Sequence, residues 1–360
     1  MNIKEMERMA LNKIKEEGLT VSNSRLNQWR RCHRAHYYKY VMKLSPKVKG
    51  PALVRGSAIH ECLEYYYSGK SWKKPQREFE EQFNKMYLSE ERALLGDLPK
   101  MVYDLMVGYV ECWEQEDEEL DFLEQELEFI VPLFKGEKIY IKGFIDFIAE
   151  DNKGIILGET KTHKRFPEYD VRLFNTQSSI YAWVVRDALN KYPDKKVNRI
   201  MWNYIKAKQP TEPRLLKDGK TLSKAKLDSL PGVVYRAIKS HGLDPKKYQD
   251  LISAQDYSNY YRREVLRIDD RVVKSVLEDT RDTAIQIYKH PLYKDRNISK
   301  DCSFCDFKSL CQAELCNPGS DLDYIIKADF EIREIGGKKD GKSKKEKFNQ
   351  VPAKKARNRK

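Results

Sequence analysis

The chain of 360 residues predicts an α/β protein with a mixed central sheet flanked by helices, plus helical and cysteine-rich segments. Three observations carry that reading. Hydrophobic periodicity runs helix, three strands, helix, strand, helix. Hydrophobic residues are 40% of the chain, enough for a core, which rules out wholesale disorder. Four of the seven cysteines fall within positions 302–316, which points to a metal or cluster rather than a disulfide framework.

The elements follow in order. Residues 3–18 read as a charged helix ending near Gly18. Ser22 and Ser24 are candidate caps for a second helix through Leu26, Trp29 and Tyr37. Pro46 and Gly50 mark a loop. Ala52 to Tyr67 reads as a helix with Leu53, Ile59, Leu63 and Tyr66 on its buried face. A long helical stretch is expected over roughly 74–120. Leu127–Phe134, Lys138–Ala149 and Gly154–Lys161 are β-rich runs separated by turn residues. Residues 172–191 return to helix and Asn198–Ile205 to strand. Residues 211–265 are expected to hold two helices and the start of a strand over Ser258–Ile268. Residues 270–289 form an amphipathic helix. No internal repeat is present. The expected organisation is an N-terminal helix (1–19), one main domain (20–335) and a basic disordered tail (336–360).

Charge is uneven. The net charge is +13, and residues 336–360 carry eleven Lys/Arg against Asp340 and Glu346, so the rest holds only +4. Such a tail suits a phosphate backbone or serves solubility alone. No run approaches the 18 or so apolar residues of a membrane span, and the N-terminus lacks an apolar leader, so a cytoplasmic protein is expected. Gly219-Lys220-Thr221 resembles the end of a phosphate loop, but Arg214 stands where the first glycine is required, so no ATP motor is expected.

The chemistry concentrates in Gly143-Phe-Ile-Asp146 and Gly158-Glu159-Thr160-Lys161-Thr162. On the strand Gly154–Lys161, Ile155, Leu157, Glu159 and Lys161 share one face. A buried strand thus ends in a carboxylate and an ammonium side by side, and burying charge without partners is costly. Asp146 on the neighbouring strand can converge with Glu159 on a divalent cation. Lys161 would then orient a water or steady charge on a phosphate. The plain alternative is a salt bridge at a strand end. His60 sits on the helix before the sheet. Gln177 and Tyr181 lie four apart on one helical face.

The cysteines Cys302-x2-Cys305-x5-Cys311, with Cys316 five residues on, have the spacing of a soft-metal site. Two sets remain open on spacing: a local zinc site using Cys316, or a [4Fe–4S] cluster that takes Cys32 as its fourth ligand. Cys62 and Cys112 read as core residues.

The ordered set His60, Gly-Phe-Ile-Asp146, Glu159-Thr160-Lys161 and Gln177-x3-Tyr181 resembles the PD-(D/E)XK nuclease superfamily, and within it the RecB-like branch of CRISPR-adaptation and phage exonucleases. Ile145 stands where the superfamily's proline would be. The resemblance spans about Ser22 to Cys311 and implies a restriction-endonuclease-like core. It implies that His60, Asp146, Glu159 and the Thr160 carbonyl ligate Mg²⁺ or Mn²⁺. Lys161 would assist the attacking water, and Gln177 and Tyr181 would position DNA or water. It also implies a [4Fe–4S] cluster on Cys32, Cys302, Cys305 and Cys311. The expected activity is a metal-dependent DNA exonuclease acting in recombination, repair or the processing of DNA ends. A single-strand annealing or binding protein is a candidate partner, and no membrane is involved. The alternative is a non-catalytic nucleic-acid-binding scaffold that retains fold and cluster. Arg25, Arg30, Arg31 and Arg34, with His163, Lys164 and Arg165, are candidate phosphate contacts. Tyr37, Tyr38, Tyr65, Tyr66 and Tyr67 are candidate base-stacking residues or core.

Overall fold

Apolar strands at the centre of the chain recruit helices to both of their faces. The computed structural model describes residues 3–333 apart from 48–49, 87–91, 93–94, 168–174, 224 and 317–321. The basic tail lies outside the described residues.

Helix α1 (Ile3–Glu17) stops at Gly18, whose φ of 85° suits glycine. Strand β1 (Leu19–Val21) follows. Ser22 caps α2 (Asn23–Arg31) by accepting the Arg25 amide at 3.2 Å. The helix expected to run on through Tyr37 breaks at Cys32, which is extended (φ −165°, ψ 116°). It resumes as α3 (His33–His36) and a π-helical turn, Tyr37–Val41. Part of the expected loop is strand β2 (Leu44–Pro46).

Helix α4 (Pro51–Tyr67) buries Arg55, Ala58, Ile59, Cys62 and Leu63. Leu53, expected on that face, is 56% exposed. Six residues separate it from Ile59, which turns it about 240° around the helix and off the stripe. Among the described residues, the long helical stretch expected over 74–120 includes α5 (Lys73–Met86) and α6 (Leu98–Asp117), the latter separated by Gly96 from what precedes it. Gly96 takes a φ of 73°, and Asp97 then caps α6 by accepting the Lys100 amide at 3.0 Å.

Strands β3 (Asp121–Pro132), β4 (Ile139–Asp151) and β5 (Gly154–His163) come next. Helix α7 (Thr176–Trp183) ends in a π-helical turn, Val184–Ala188. Then come β6 (Val197–Lys206), α8 (Pro231–Ser240), α9 (Gln249–Ser253) and β7 (Tyr261–Arg267). Strand β7 starts later than expected because Tyr257–Asn259 forms a 3₁₀ turn. The chain closes through α10 (Asp270–Lys289), α11 (Lys308–Cys316), α12 (Leu322–Asp329) and β8 (Phe330–Ile332). No helix among the described residues is long and apolar enough to cross a membrane.

The sheet is mixed, as expected, with order β1-β4-β5-β6-β7 and β3 against β4. Pairs β1–β4 and β5–β6 are parallel, and the rest are antiparallel. Strand β3 covers one edge of β4 from Tyr140 to Glu150. On the other edge, β5 pairs only with Phe147–Asp151 and β1 only with Ile139–Ile141. Residues 142–146 of β4 therefore face a notch between β1 and β5.

One face of the sheet packs Ile145, Ile155, Leu157 and Tyr181 with helices α2, α7 and α10. The other packs Phe147, Ile156 and Ile205 with α4, α6 and α8. Tyr37, Tyr38 and Tyr67 are buried, so these three are core rather than base-stacking residues. A third core joins α1, α3, β2, β8, α11 and α12 around Tyr38, Phe307 and Phe330. There β2 pairs antiparallel with β8, bringing distant parts of the chain together.

Under the notch lies a polar core. Asn203 donates to Tyr109 Oη at 2.7 Å and to Thr160 Oγ1 at 3.2 Å. Arg263 donates to Tyr109 Oη at 2.5 Å and to Asp117 at 2.6 and 3.1 Å. Tyr66 also donates to Asp117, at 3.1 Å. Removing one member of a buried ion pair leaves the other charge uncompensated. Asp117→Ala is therefore expected to lower unfolding free energy by about 3–5 kcal/mol in urea titration, and Arg263→Met added to it to restore part of the loss.

Candidate active site

The notch leaves backbone polar groups without ladder partners, and side chains supply them. Past Gly158, β5 no longer pairs with β4, and the Thr160 amide donates instead to Asp146 Oδ2 at 2.6 Å. The Tyr181 hydroxyl, from α7, donates to the Phe144 carbonyl within the same stretch. The local sequence allows the fork. A Cβ at Gly158 would sit 2.2 Å from the Phe147 ring, so only glycine lets the strands close just before they part.

The chemically active side chains meet there. His60, from α4, places Nδ1 3.5 Å from Asp146 Oδ2 and 3.9 Å from Glu126 Oε1. His60, Glu126 and Asp146 each offer a ligand atom within 4.8 Å of the others. Glu159 is 2% exposed. Its Oε1 pairs with Lys161 Nζ, whereas its Oε2 is buried with no hydrogen bond. The Tyr181 hydroxyl lies beside Glu159 but is directed at the Phe144 carbonyl. Lys161 Nζ also donates to Gln177 Oε1 at 3.2 Å, and Gln177 Nε2 donates to Tyr181 Oη. Lys161, Gln177 and Tyr181 thus form one chain of hydrogen bonds from the acids to the edge of β4.

Electrostatics follow from this crowding. Burial opposes a charge on His60, but Asp146, Glu126 and Glu159 outweigh it and raise its pKa to about 10. Burial first, and Asp146 second, push Glu159 up to about 7, against the pull of Lys161 and His60. The site carries more negative charge than its cations neutralise comfortably. Carboxylate oxygens, one of them buried without a donor, and an imidazole nitrogen suit a hard divalent cation.

Glu126 was not among the residues singled out from sequence. It lies between the pairs Gln125↔Phe147 and Leu127↔Ile145, which sets it opposite Asp146. Its φ of 48° is unusual for a residue other than glycine. The available signal was the alternation Glu124, Glu126, Glu128 on a strand paired with the Asp146 strand.

The cysteines lie in the third core, apart from the notch. Cys32, Cys305 and Cys311 pack against it half-buried. Cys32 lies close enough to Cys305 for their charges to interact. Asn297 Nδ2 donates to the Arg31 carbonyl at 3.0 Å, tying the approach to Cys302 to the Cys32 turn. Cys316 is exposed at the end of α11.

The four candidate phosphate contacts around Cys32 are already engaged: Arg34 pairs with Glu314, Arg30 bonds Thr283 and the Asp279 carbonyl, Arg25 bonds His36 and the Thr20 carbonyl, and Arg31 bonds Gln28. Lys164 and Arg165 are exposed beyond β5.

A family model described as the PD-(D/E)XK nuclease superfamily matches residues 20–312. Among solved structures, the chain is similar to a candidate exonuclease from Eubacterium rectale (13% identity, 90% of this chain and 98% of that one, TM-score 0.45). It is also similar to the protein SSO0001 (15% identity, 88% and 98%, TM-score 0.32). No curated protein matches. With most of its length matched, this chain belongs to the PD-(D/E)XK nuclease superfamily.

Proposed function

We propose that the protein is a Mg²⁺- or Mn²⁺-dependent deoxyribonuclease that works from DNA ends. The observation that carries this is the fork itself: His60, Glu126 and Asp146 drawn together, with Glu159 near Asp146, pairing with Lys161 through one oxygen while the other is buried without a donor among the described residues. A structural salt bridge alone would not leave Glu159 Oε2 buried without a donor. His60, Glu126, Asp146 and Glu159 would hold the cation, with the Thr160 carbonyl as a further ligand. A bound divalent cation supplies positive charge against the phosphodiester and makes water more acidic.

The chain's own residues do the rest. Lys161 uses one N–H on Glu159 and one on Gln177. Its third is left for a water or a phosphate oxygen. Gln177 and Tyr181 hold that ammonium in place. The preference for DNA ends, and a role in recombination, repair or end processing, rest on the RecB-like resemblance.

A second centre is proposed on Cys32, Cys302, Cys305 and Cys311, as a [4Fe–4S] cluster. The proximity of Cys32 to Cys305 supports this set over the local zinc set that uses the exposed Cys316. Its role would be structural, fastening the third core.

Asp146→Ala and Lys161→Ala are each expected to cut cleavage of labelled DNA by at least about a hundredfold, as loss of a charge-stabilising group does. DNA binding should stay within a few-fold. Equal loss of binding and cleavage, or no Mg²⁺- or Mn²⁺-dependent cleavage by the native protein, would favour the scaffold alternative.

The raised pKa of Glu159 gives a stability test. A carboxyl raised from 4.5 to about 7 on folding costs nothing below 4.5, because both states are protonated. The cost grows between those values and is full above about 7. Glu159→Gln should therefore melt at a higher temperature than the native chain in EDTA at pH 8, and at the same temperature at pH 4. Mn²⁺ should stabilise the native chain more than the variant.

Anaerobically purified protein is expected to be brown and to contain iron. Cys305→Ser should bleach it and lower its melting temperature; a colourless native protein with bound zinc would select the other set.

A further inference from the structure

Arg55 is buried at 8% exposure, yet its Nε has no hydrogen-bond partner. Among the described residues no carboxylate lies within ion-pair distance of its guanidinium. Other buried or half-buried arginines are engaged: Arg263 with Asp117, Arg34 with Glu314, Arg199 with Asp151. Burying the Nε of an arginine for which the described residues supply no anion is a cost the fold gains nothing from.

Its position suggests what offsets that cost. Arg55 precedes His60 by five residues on α4, about 7.5 Å along the helix axis. The next residue, Gly56, lies against β5: a Cβ there would be 3.6 Å from Thr162 Oγ1. Thr162 follows Lys161 directly, and exposed Lys164 and Arg165 come just after. Arg55 thus precedes the α4 residue that packs against Thr162, the neighbour of the fork's lysine, just ahead of a basic turn. Helix α4 also begins without a side-chain cap and without an acid in its first turn, so its positive end is uncompensated.

We infer that Arg55 is a phosphate-binding residue, its guanidinium receiving a backbone phosphate of the nucleic acid next to the one that is cut. A guanidinium fork matches a phosphate with paired N–H donors. This deepens the nuclease reading and rests on it for the identity of the ligand. It identifies the end of β5 and the start of α4 as the side along which the strand leaves the fork.

The test compares the native chain with Arg55→Met and Arg55→Lys. Binding of a fluorescent single-stranded DNA is followed in EDTA over a range of salt. Arg55→Met should bind roughly tenfold more weakly, the scale of one charge-assisted hydrogen bond. Its slope of log affinity against log salt should flatten by about 0.7. Its melting temperature without DNA should be equal to or above the native value, because an uncompensated charge has been removed. Native affinity and slope in Arg55→Met would overturn the inference. Should Arg55→Met fail to fold, Arg55→Lys decides: a native slope with weakened affinity supports the phosphate role, and native affinity rejects it. A native chain that binds through Arg55 but never cleaves would sink the nuclease reading alone. One that cleaves with Arg55→Met unaltered in KM and salt slope would sink this inference alone.

Discussion

The parting of β4 and β5 is the constraint on which the site depends. Two antiparallel strands that stayed paired to their ends would bury Asp146 and Glu159 in an ordinary ladder. They part after Phe147 and Gly158, and β1 fills the far end of the same edge. The gap would cost unsatisfied backbone groups. Asp146 takes the Thr160 amide and Tyr181 reaches the Phe144 carbonyl. Residues read as chemical are therefore also the ones that hold the fork open.

That dual role explains why charge can gather in a place so poorly hydrated. Thr160 is held from above by Asp146 and from below by Asn203, which is itself anchored to Tyr109 and Arg263. Asn203, Tyr109, Arg263, Asp117 and Tyr66, from four elements, converge beneath this one strand residue. A site built this way keeps its geometry when its acids repel one another, because the repulsion works against a hydrogen-bonded network rather than a loose loop. The cost falls on Glu159, and metal binding would repay it.

The sequence made the central strands legible because their signals are local. The alternation Ile155, Leu157, Glu159, Lys161 places four side chains on one face, and the two apolar ones join a single core. The same rule set Ile156 on the other. Glu126 was hidden because its place is set by register across a hairpin rather than by its neighbours. Strands β1, β2 and β8 are three residues each, too short for periodicity, and they pair with segments more than a hundred residues away. Arg55 looked like one more basic residue. Burial with no ion-pair partner among the described residues sets it apart, and that is a property of the fold.

Those short distant pairings also explain why the cysteine segment lies where it does. Pairing of β2 with β8 closes a loop of nearly three hundred residues, and three hydrogen bonds' worth of strand cannot offset much of that entropy. The third core adds apolar contacts from α1, α3, α11 and α12. It is still small beside the two cores on the sheet. Cys32 and Cys305 both pack against this third core, one from the early segment and one from the late. The proposed metal centre there would act on the long loop, where cross-linking removes the most unfolded-state freedom. The break at Cys32, which no helical pattern explains, is then the turn that brings its sulfur to that core.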